Sequence, residues 1–230
     1  VNAGVAFVLR NRFAFLLAAL LAFFLLLPLA DHLRDVRAAE RPLLLETGPF
    51  GVVLVAVMVS VSTTRTGKIL ALALGLPAVV VRLLPYSHTP AGDVVWTLFA
   101  MGFLGYATAS LLRHSLKGRH VDRERLLAGL CAYALLAITW ALIYSLVAEF
   151  RPGAFRVAEG TSPEMRVTHG GTVTALYFSI CSMTTLGLGD VVPVTSGSRM
   201  LVAVEAMLGQ LYLAVVVARL IGLHIADRPD

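Results

Sequence analysis

Thr172-Val173-Thr174-Ala175-Leu176-Tyr177-Phe178-Ser179-Ile180-Cys181-Ser182-Met183-Thr184-Thr185-Leu186-Gly187-Leu188-Gly189-Asp190 joins a short apolar run to a ribbon in which leucine and glycine alternate. Gly170 and Gly171 break the chain ahead of it, and Thr172 can cap a helix start. A helix of about three turns is expected over Val173 to Thr184, ending at Thr184-Thr185. A hydrocarbon layer of about 30 Å needs roughly 20 apolar residues to cross it, so this run reads as a re-entrant segment. The ribbon that follows has glycine at every second place, which frees the backbone to alternate the sign of φ. Carbonyls that alternate in an ordinary strand can then all face one side. Such a column, with one threonine hydroxyl, is a ladder of neutral oxygens suited to a dehydrated cation. Non-helical backbone at membrane depth is tolerated only where protein buries it or where it lines a watery path. One chain supplies one wall, so several copies must meet around an axis. The short helix would point its partial negative end, about half a charge, at the centre.

The rest of the composition agrees with a membrane setting. Of 230 residues, 58% are hydrophobic and 14% charged, with a mean hydropathy of +0.82. Soluble domains carry about 25% charged residues, and disordered chains are poor in apolar ones. Both classes are excluded. The two cysteines, Cys131 and Cys181, lie in apolar runs and read as small hydrophobes without a disulfide framework. The basic residues behind the pI near 9.6 sit at the ends of apolar segments rather than on one patch, so no nucleic acid partner is expected. His88, His114 and His120 show no metal spacing, and no nucleophile–base pair or nucleotide loop is recognisable. No enzyme and no cofactor is expected.

Six spans are predicted: Phe13–Ala30, Thr47–Val61 (beginning as early as Leu43), Ile69–Leu84 with Pro77 and Arg82 inside it, Val94–Leu112, Leu126–Ala148 and Met200–Ile225. The fold class is therefore all-α membrane protein, with a re-entrant helix and an extended ribbon between the fifth and sixth spans. Three parts follow: residues 1–112 with four spans, a basic linker over 113–125, and 126–230. With the N-terminus inside, eleven Lys and Arg fall on the inner loops and termini and six on the outer loops; Arg82 and Arg199 lie near span ends. Positive charge on short loops sets orientation, which puts both termini in the cytoplasm. Arg10 and Arg12 before an apolar run resemble a signal peptide, but about 18 apolar residues exceed the usual 7–15 of such a segment.

Thr-Thr-Leu-Gly-Leu-Gly-Asp at 184–190 resembles the filter signature of the tetrameric potassium channels, usually Thr-Thr-Val-Gly-Tyr/Phe-Gly-Asp. Tyr177 and Phe178 stand where that family has an aromatic pair. Pro193, Thr195 and Arg199 fit its turn into the inner helix, and Gly209 its hinge glycine. The likeness covers roughly Leu126 to Ile225 and extends in plan to six-span bacterial channels. It implies a homotetramer in a bacterial or archaeal plasma membrane, passing potassium passively. Thr185 would bind the ion by hydroxyl and carbonyl, Leu186, Gly187 and Leu188 by carbonyls, and Gly189 would shape the mouth. Asp190 would anchor the ribbon from behind. Phe178 and Cys181 would support it, with Cys181 standing where some members have a glutamate.

Two positions depart from the family pattern. Leu188 replaces the usual aromatic and Phe178 a frequent indole, so contact between them would be dispersion alone, and the cuff around the filter is expected to be apolar. A weakly selective cation channel is the alternative this opens; a potassium transporter subunit is a more distant one, since such transporters carry four loops per chain. On the sixth span, Gly209 is a packing or a bending point. Gln210, Leu213 (or Ala214) and Val217 share a face, expected to line the cavity, with Val217 in an apolar ring that gates by dewetting. Glu205 lies about a turn before Gly209. Intramembrane carboxylates are costly and usually functional. It is expected to brace the pore helix through Ser182 or Thr184; the alternative is a protonated glutamate hydrogen-bonded between helices.

Voltage sensing by an arginine-rich fourth helix needs about 3–4 charges per subunit. Val94–Leu112 has none, and Arg82 is close enough to a span end to snorkel, so steep voltage dependence is not expected. Gly105 and Ala109 form a small-residue face suited to packing. The linker 113–125 carries five basic residues and can lie on anionic lipid or remain solvated. Few residues follow the sixth span, so no large regulatory domain is expected there.

Overall fold

A computed structural model of the chain describes residues 11–36, 43–61, 65–83, 89–116, 122–158 and 172–226. The elements are α1 (Arg12–Val36), α2 (Leu43–Val61), α3 (Arg65–Leu83), α4 (Pro90–Leu116), α5 (Arg123–Phe150), β1 (Phe155–Val157), α6 (Thr172–Met183), β2 (Val191–Pro193) and α7 (Ser196–Ala226). Arg10, Arg37, Arg41, the Gly170-Gly171 break and linker residues 117–121 lie outside the described residues, as do the side chains of Arg82, Thr172 and Val217.

Every described helix except α6 extends beyond the apolar run that predicts it at one end or both. The reason is capping. Hydropathy marks only the lipid-compatible stretch, whereas the helix begins at a polar residue that holds its first free N–H groups. Thr89 precedes Pro90 and accepts from the Gly92 N–H at 3.1 Å. Asp122, with extended backbone, accepts from the Arg125 N–H at 2.9 Å. Thr195 and Ser198 cap α7 reciprocally, each side-chain oxygen accepting from the other's N–H at 3.2 Å. Pro28 and Pro77 lie inside α1 and α3 without ending them.

Four helices among the described residues are long and apolar enough to cross a membrane, over Arg12–Leu29, Ala91–Leu116, Arg123–Phe150 and Ser196–Val216; the apolar stretches Ile69–Val81 and Val173–Met183 are shorter. The first four helices pack mainly in sequence, α1 on α2 and α3 on α4, and α1 and α4 both pack on α5. α4 contributes Ala100, Leu104, Ala107 and Leu111 to the shared core, and α5 contributes Ala128, Ala132 and Leu135. Each set recurs at i, i+3/i+4, one helical face, and its alanines permit a close approach. Phe50 stands edge-on to both Phe23 and Trp96, at 5.6 and 5.1 Å, tying α1, α2 and α4 together. Gly105 departs from expectation: a Cβ there would meet nothing within 4 Å, because α4 turns its alanine face, not its glycine, toward α5.

α5 is thus a common wall. One side takes α1 and α4, the other takes α6 and α7. Beyond α5, β1 and β2 pair antiparallel with Phe155 opposite Pro193, Arg156 opposite Val192 and Val157 opposite Val191.

Candidate functional site: a short helix and a glycine ribbon

The end of α6 sets the geometry. The Leu186 N–H donates to the Cys181 carbonyl at 2.9 Å and the Thr185 N–H to the Ser182 carbonyl at 3.1 Å. This is the two-bond ending in which one residue must be left-handed, a place glycine usually takes. Here Thr185 takes it, with φ of 59°. A threonine in that region is strained by about 1–3 kcal/mol and persists only where its surroundings hold it. Positive φ recurs at Gly187 (56°) and Gly189 (81°) but not at Leu186 or Leu188. The sign of φ therefore alternates from 185 to 189, as the glycine spacing predicts.

Asp190 fastens the outer end of the ribbon. Its Oδ2 accepts from the Tyr177 hydroxyl at 2.7 Å, its Oδ1 from the Val191 N–H at 3.0 Å, and its carbonyl from the Ala158 N–H at 2.7 Å. Tyr177 is therefore a site residue that pattern reading passes over. It enters the sequence argument only as half of an aromatic pair, although its hydroxyl is a donor one helix length from an acid. The cuff is consequently not wholly apolar, as the departures at Phe178 and Leu188 imply. Cys181 is buried beside the Tyr177 hydroxyl. Phe178 faces the other way, 5.2 Å from the Tyr144 ring and 5.7 Å from Phe155. Leu186 and Leu188 are each 61% exposed in the single chain, and within it Phe178 packs on the aromatic rings of α5 and β1.

The inner end is held from behind. The Met183 carbonyl lies 3.4 Å from both the Tyr133 hydroxyl and the Gln210 amide nitrogen. A Cβ on Gly209 would fall 2.5 Å from that same carbonyl oxygen, so Gly209 is a close-packing point where α7 passes the end of α6. Gln210 and Leu213 are exposed on an adjacent face. The Tyr212 hydroxyl donates to the Gly129 carbonyl of α5 at 2.5 Å.

Glu205 is fully buried. Its carboxyl meets Ser179 on α6 at 2.5 Å and the Tyr144 hydroxyl on α5. The expected partners Ser182 and Thr184 are not the ones found. Ser179 is on the side of α6 that faces both α5 and α7, while the Thr184 hydroxyl bonds back to the Ile180 carbonyl at 2.7 Å. The participation of Tyr144 depends on how α5 is rotated, which sequence spacing does not express.

A three-turn helix, a left-handed exit and a ribbon of alternating φ are features of a pore loop. Residues 132–224 match the family described as ion channel. Over 105 residues, 46% of its length, the chain is 31% identical to the voltage-gated potassium channel Kch of Escherichia coli (strain K12). The matched part of the chain is similar to ion channels, a potassium channel among them. The match spans 22% of that relative, so the likeness is to part of it. No solved structure matches the chain. With four helices apolar and long enough to cross a membrane, the chain reads as an integral membrane protein, and the matched segment runs from within α5 into α7 and includes the whole ribbon. Residues 1–131, with α1 to α4, lie outside the family match.

Proposed function

We propose that four copies of this chain form a channel that conducts potassium passively, each copy lending one wall of the filter. The alternation of φ over Thr185–Gly189 carries this reading. A backbone of that kind can aim successive carbonyls to one side, and four such walls replace the hydration shell of a monovalent cation. Thr185 supplies a hydroxyl and a carbonyl, Leu186, Gly187 and Leu188 supply carbonyls, Gly189 shapes the mouth and Asp190 anchors it.

Gln210, Leu213 and Val217 line the cavity below, with Val217 in the constriction. The relative is a voltage-gated channel by name, but α4 here carries its basic residues only in its last turn, Arg113 and His114. Steep voltage dependence of the usual kind is therefore not part of the proposal. Both termini lie in the cytoplasm of a bacterial or archaeal cell, and the basic segment 113–125 rests on anionic lipid at about 1 kcal/mol per basic group.

Reversal potentials in planar bilayers under opposed potassium and sodium gradients test the reading. A potential close to that of potassium is expected; absence of ohmic current refutes it. A second reading, a weakly selective cation channel, draws on the exposed Leu188 side chain, which brings no hydroxyl to stiffen the ribbon. A reversal potential near zero in the same measurement selects it.

A further inference from the structure

The Glu205 carboxyl stands at one end of a row of oxygens. Tyr144 Oη abuts Oε2; Oε1 lies 2.5 Å from Ser179 Oγ; Ser179 Oγ lies 2.8 Å from the Ala137 carbonyl oxygen. Each of these gaps is a hydrogen-bond distance, and two oxygens that close with no hydrogen between them repel. The row therefore requires one hydrogen per gap. Tyrosine and serine bring one each, and a main-chain carbonyl only accepts.

The gap between Ser179 Oγ and the Ala137 carbonyl can be filled only by the Ser179 hydrogen, because a carbonyl has none to give. The gap between Ser179 and Glu205 must then be filled from the glutamate. Ionised, Glu205 would leave one gap empty; protonated, it completes all of them. Solvation leads to the same place. The groups that face the carboxyl, Tyr144 and Ala137 from α5 and Ser179 from α6, are neutral, and a buried carboxylate without a cation is strongly disfavoured.

We propose that Glu205 is an un-ionised carboxylic acid in the working protein, and that by donating its proton to Ser179 it holds α6 between α5 and α7. It is a positioning residue for the ribbon, a role that rests on the pore-loop reading above; the protonation itself does not. Glutamine imitates this arrangement, since its amide donates to Ser179 and its carbonyl accepts from Tyr144. Leucine, of similar size, offers neither bond: the Tyr144 hydroxyl loses its acceptor, and Ser179 keeps only its bond to Ala137.

Infrared difference spectra of the reconstituted protein at neutral pH, wild type minus Glu205→Gln, test it. The expected result is a protonated-carboxyl C=O band that shifts in heavy water and moves upward in Ser179→Ala, where the acid loses its acceptor. Glu205→Gln should keep potassium flux within about twofold of wild type, and Glu205→Leu should lose about tenfold or more, a factor worth about 1.4 kcal/mol. Carboxylate bands in place of the acid band overturn the proposal, as does an acid band indifferent to Ser179→Ala, or a glutamine variant no better than the leucine one. Should the leucine variant fail to assemble, the band and its response to Ser179→Ala still decide. An acid band in a protein that passes no potassium would leave the clamp standing and refute the pore.

Discussion

α5 and α7 flank the same loop, yet 13 of the 28 residues of α5 are buried against three of the 21 in Ser196–Val216. The difference is one of kind as well as extent. The buried residues of α5 include Ala128, Leu135, Ile138 and Leu142, an ordinary apolar face. Among the described residues of α7 the buried ones are Ser198, Glu205 and Gly209, small or polar, while Met200, Val204, Met207, Leu208, Leu211 and Val215 are exposed. In water such a helix would be inside out. In lipid it is coherent, because small residues and hydrogen-bonding groups draw membrane helices together, whereas apolar side chains gain little over the lipid they displace. α5 is finished within one chain. α7 presents a large apolar surface that the single chain does not cover, and the proposed tetramer supplies neighbours for part of it.

The contrast is broken most severely at Gly209. An alanine there sets a methyl 2.5 Å from a backbone carbonyl that Tyr133 and Gln210 help to fix, so α7 or the end of α6 must move. Overpacking of this kind costs about 1–3 kcal/mol or more, and Gly209→Ala is expected to lower the melting temperature of the assembly and abolish current. Gly197, at the start of the same helix, has open space around it, and Gly197→Ala should leave both unchanged or slightly improved. If Gly209→Ala keeps full thermal stability and alters only opening, bending rather than packing is the function of this glycine.

Assembly sharpens the comparison next. Val204, Leu208, Leu211 and Val215 follow one another at i, i+4, i+7 and i+11, an exposed stripe about a quarter turn around α7 from Glu205. The paired change Leu208→Asn with Leu211→Asn should shift the detergent-solubilised protein from tetramer toward smaller species in light scattering. Leu130, equally exposed on α5 at 49%, should accept asparagine without that shift. Equal effects from both would mean that α7 is no more an interface than α5.

A smaller effect is expected from Tyr177→Phe. It removes the 2.7 Å bond to Asp190 and leaves the bonds from Val191 and Ala158 in place. A hydrogen bond to a charged group is worth about 1.5–3 kcal/mol, and the loss should shorten single-channel open times several-fold with little change in assembly. Unaltered open times would mean that the backbone bonds alone secure the outer end of the ribbon.

What the amino-acid order makes legible follows from the range of each interaction. The helices and the ribbon were readable because apolar length and glycine spacing act within a few residues, and the alternation at Gly187 and Gly189 followed from spacing alone. The left-handed Thr185 extends it by one residue, and its cause, the two-bond ending of α6, is also local. The partners of Glu205 and Asp190 were not readable. Ser182 and Thr184 are near Glu205 in the expected pore-loop plan, but the choice of Ser179 depends on which way α6 is turned, and Tyr144 on the rotation of a helix some sixty residues away. The packing of Phe178 has the same origin: Tyr144 and Phe155 offer it aromatic faces inside one chain.

Leu188→Tyr should have the smallest effect and separates the two functional readings. The substitution leaves the Leu188 carbonyl, the flanking glycines and the alternation of φ intact, so the oxygen ladder does not change. If selectivity arises from the number and field strength of carbonyls, the potassium-to-sodium permeability ratio should move by no more than about threefold, roughly 0.7 kcal/mol. If it depends on a stiff cavity of fixed size, the added hydroxyl can find a partner on the surrounding helices, and the ratio should rise well beyond that. The wild-type side chain is mostly exposed in the single chain, so the larger residue displaces nothing within its own chain, and light scattering checks that the assembly is kept. A strong rise would therefore identify the apolar ribbon of the natural protein as loosely held, and would favour the weakly selective reading over the selective one.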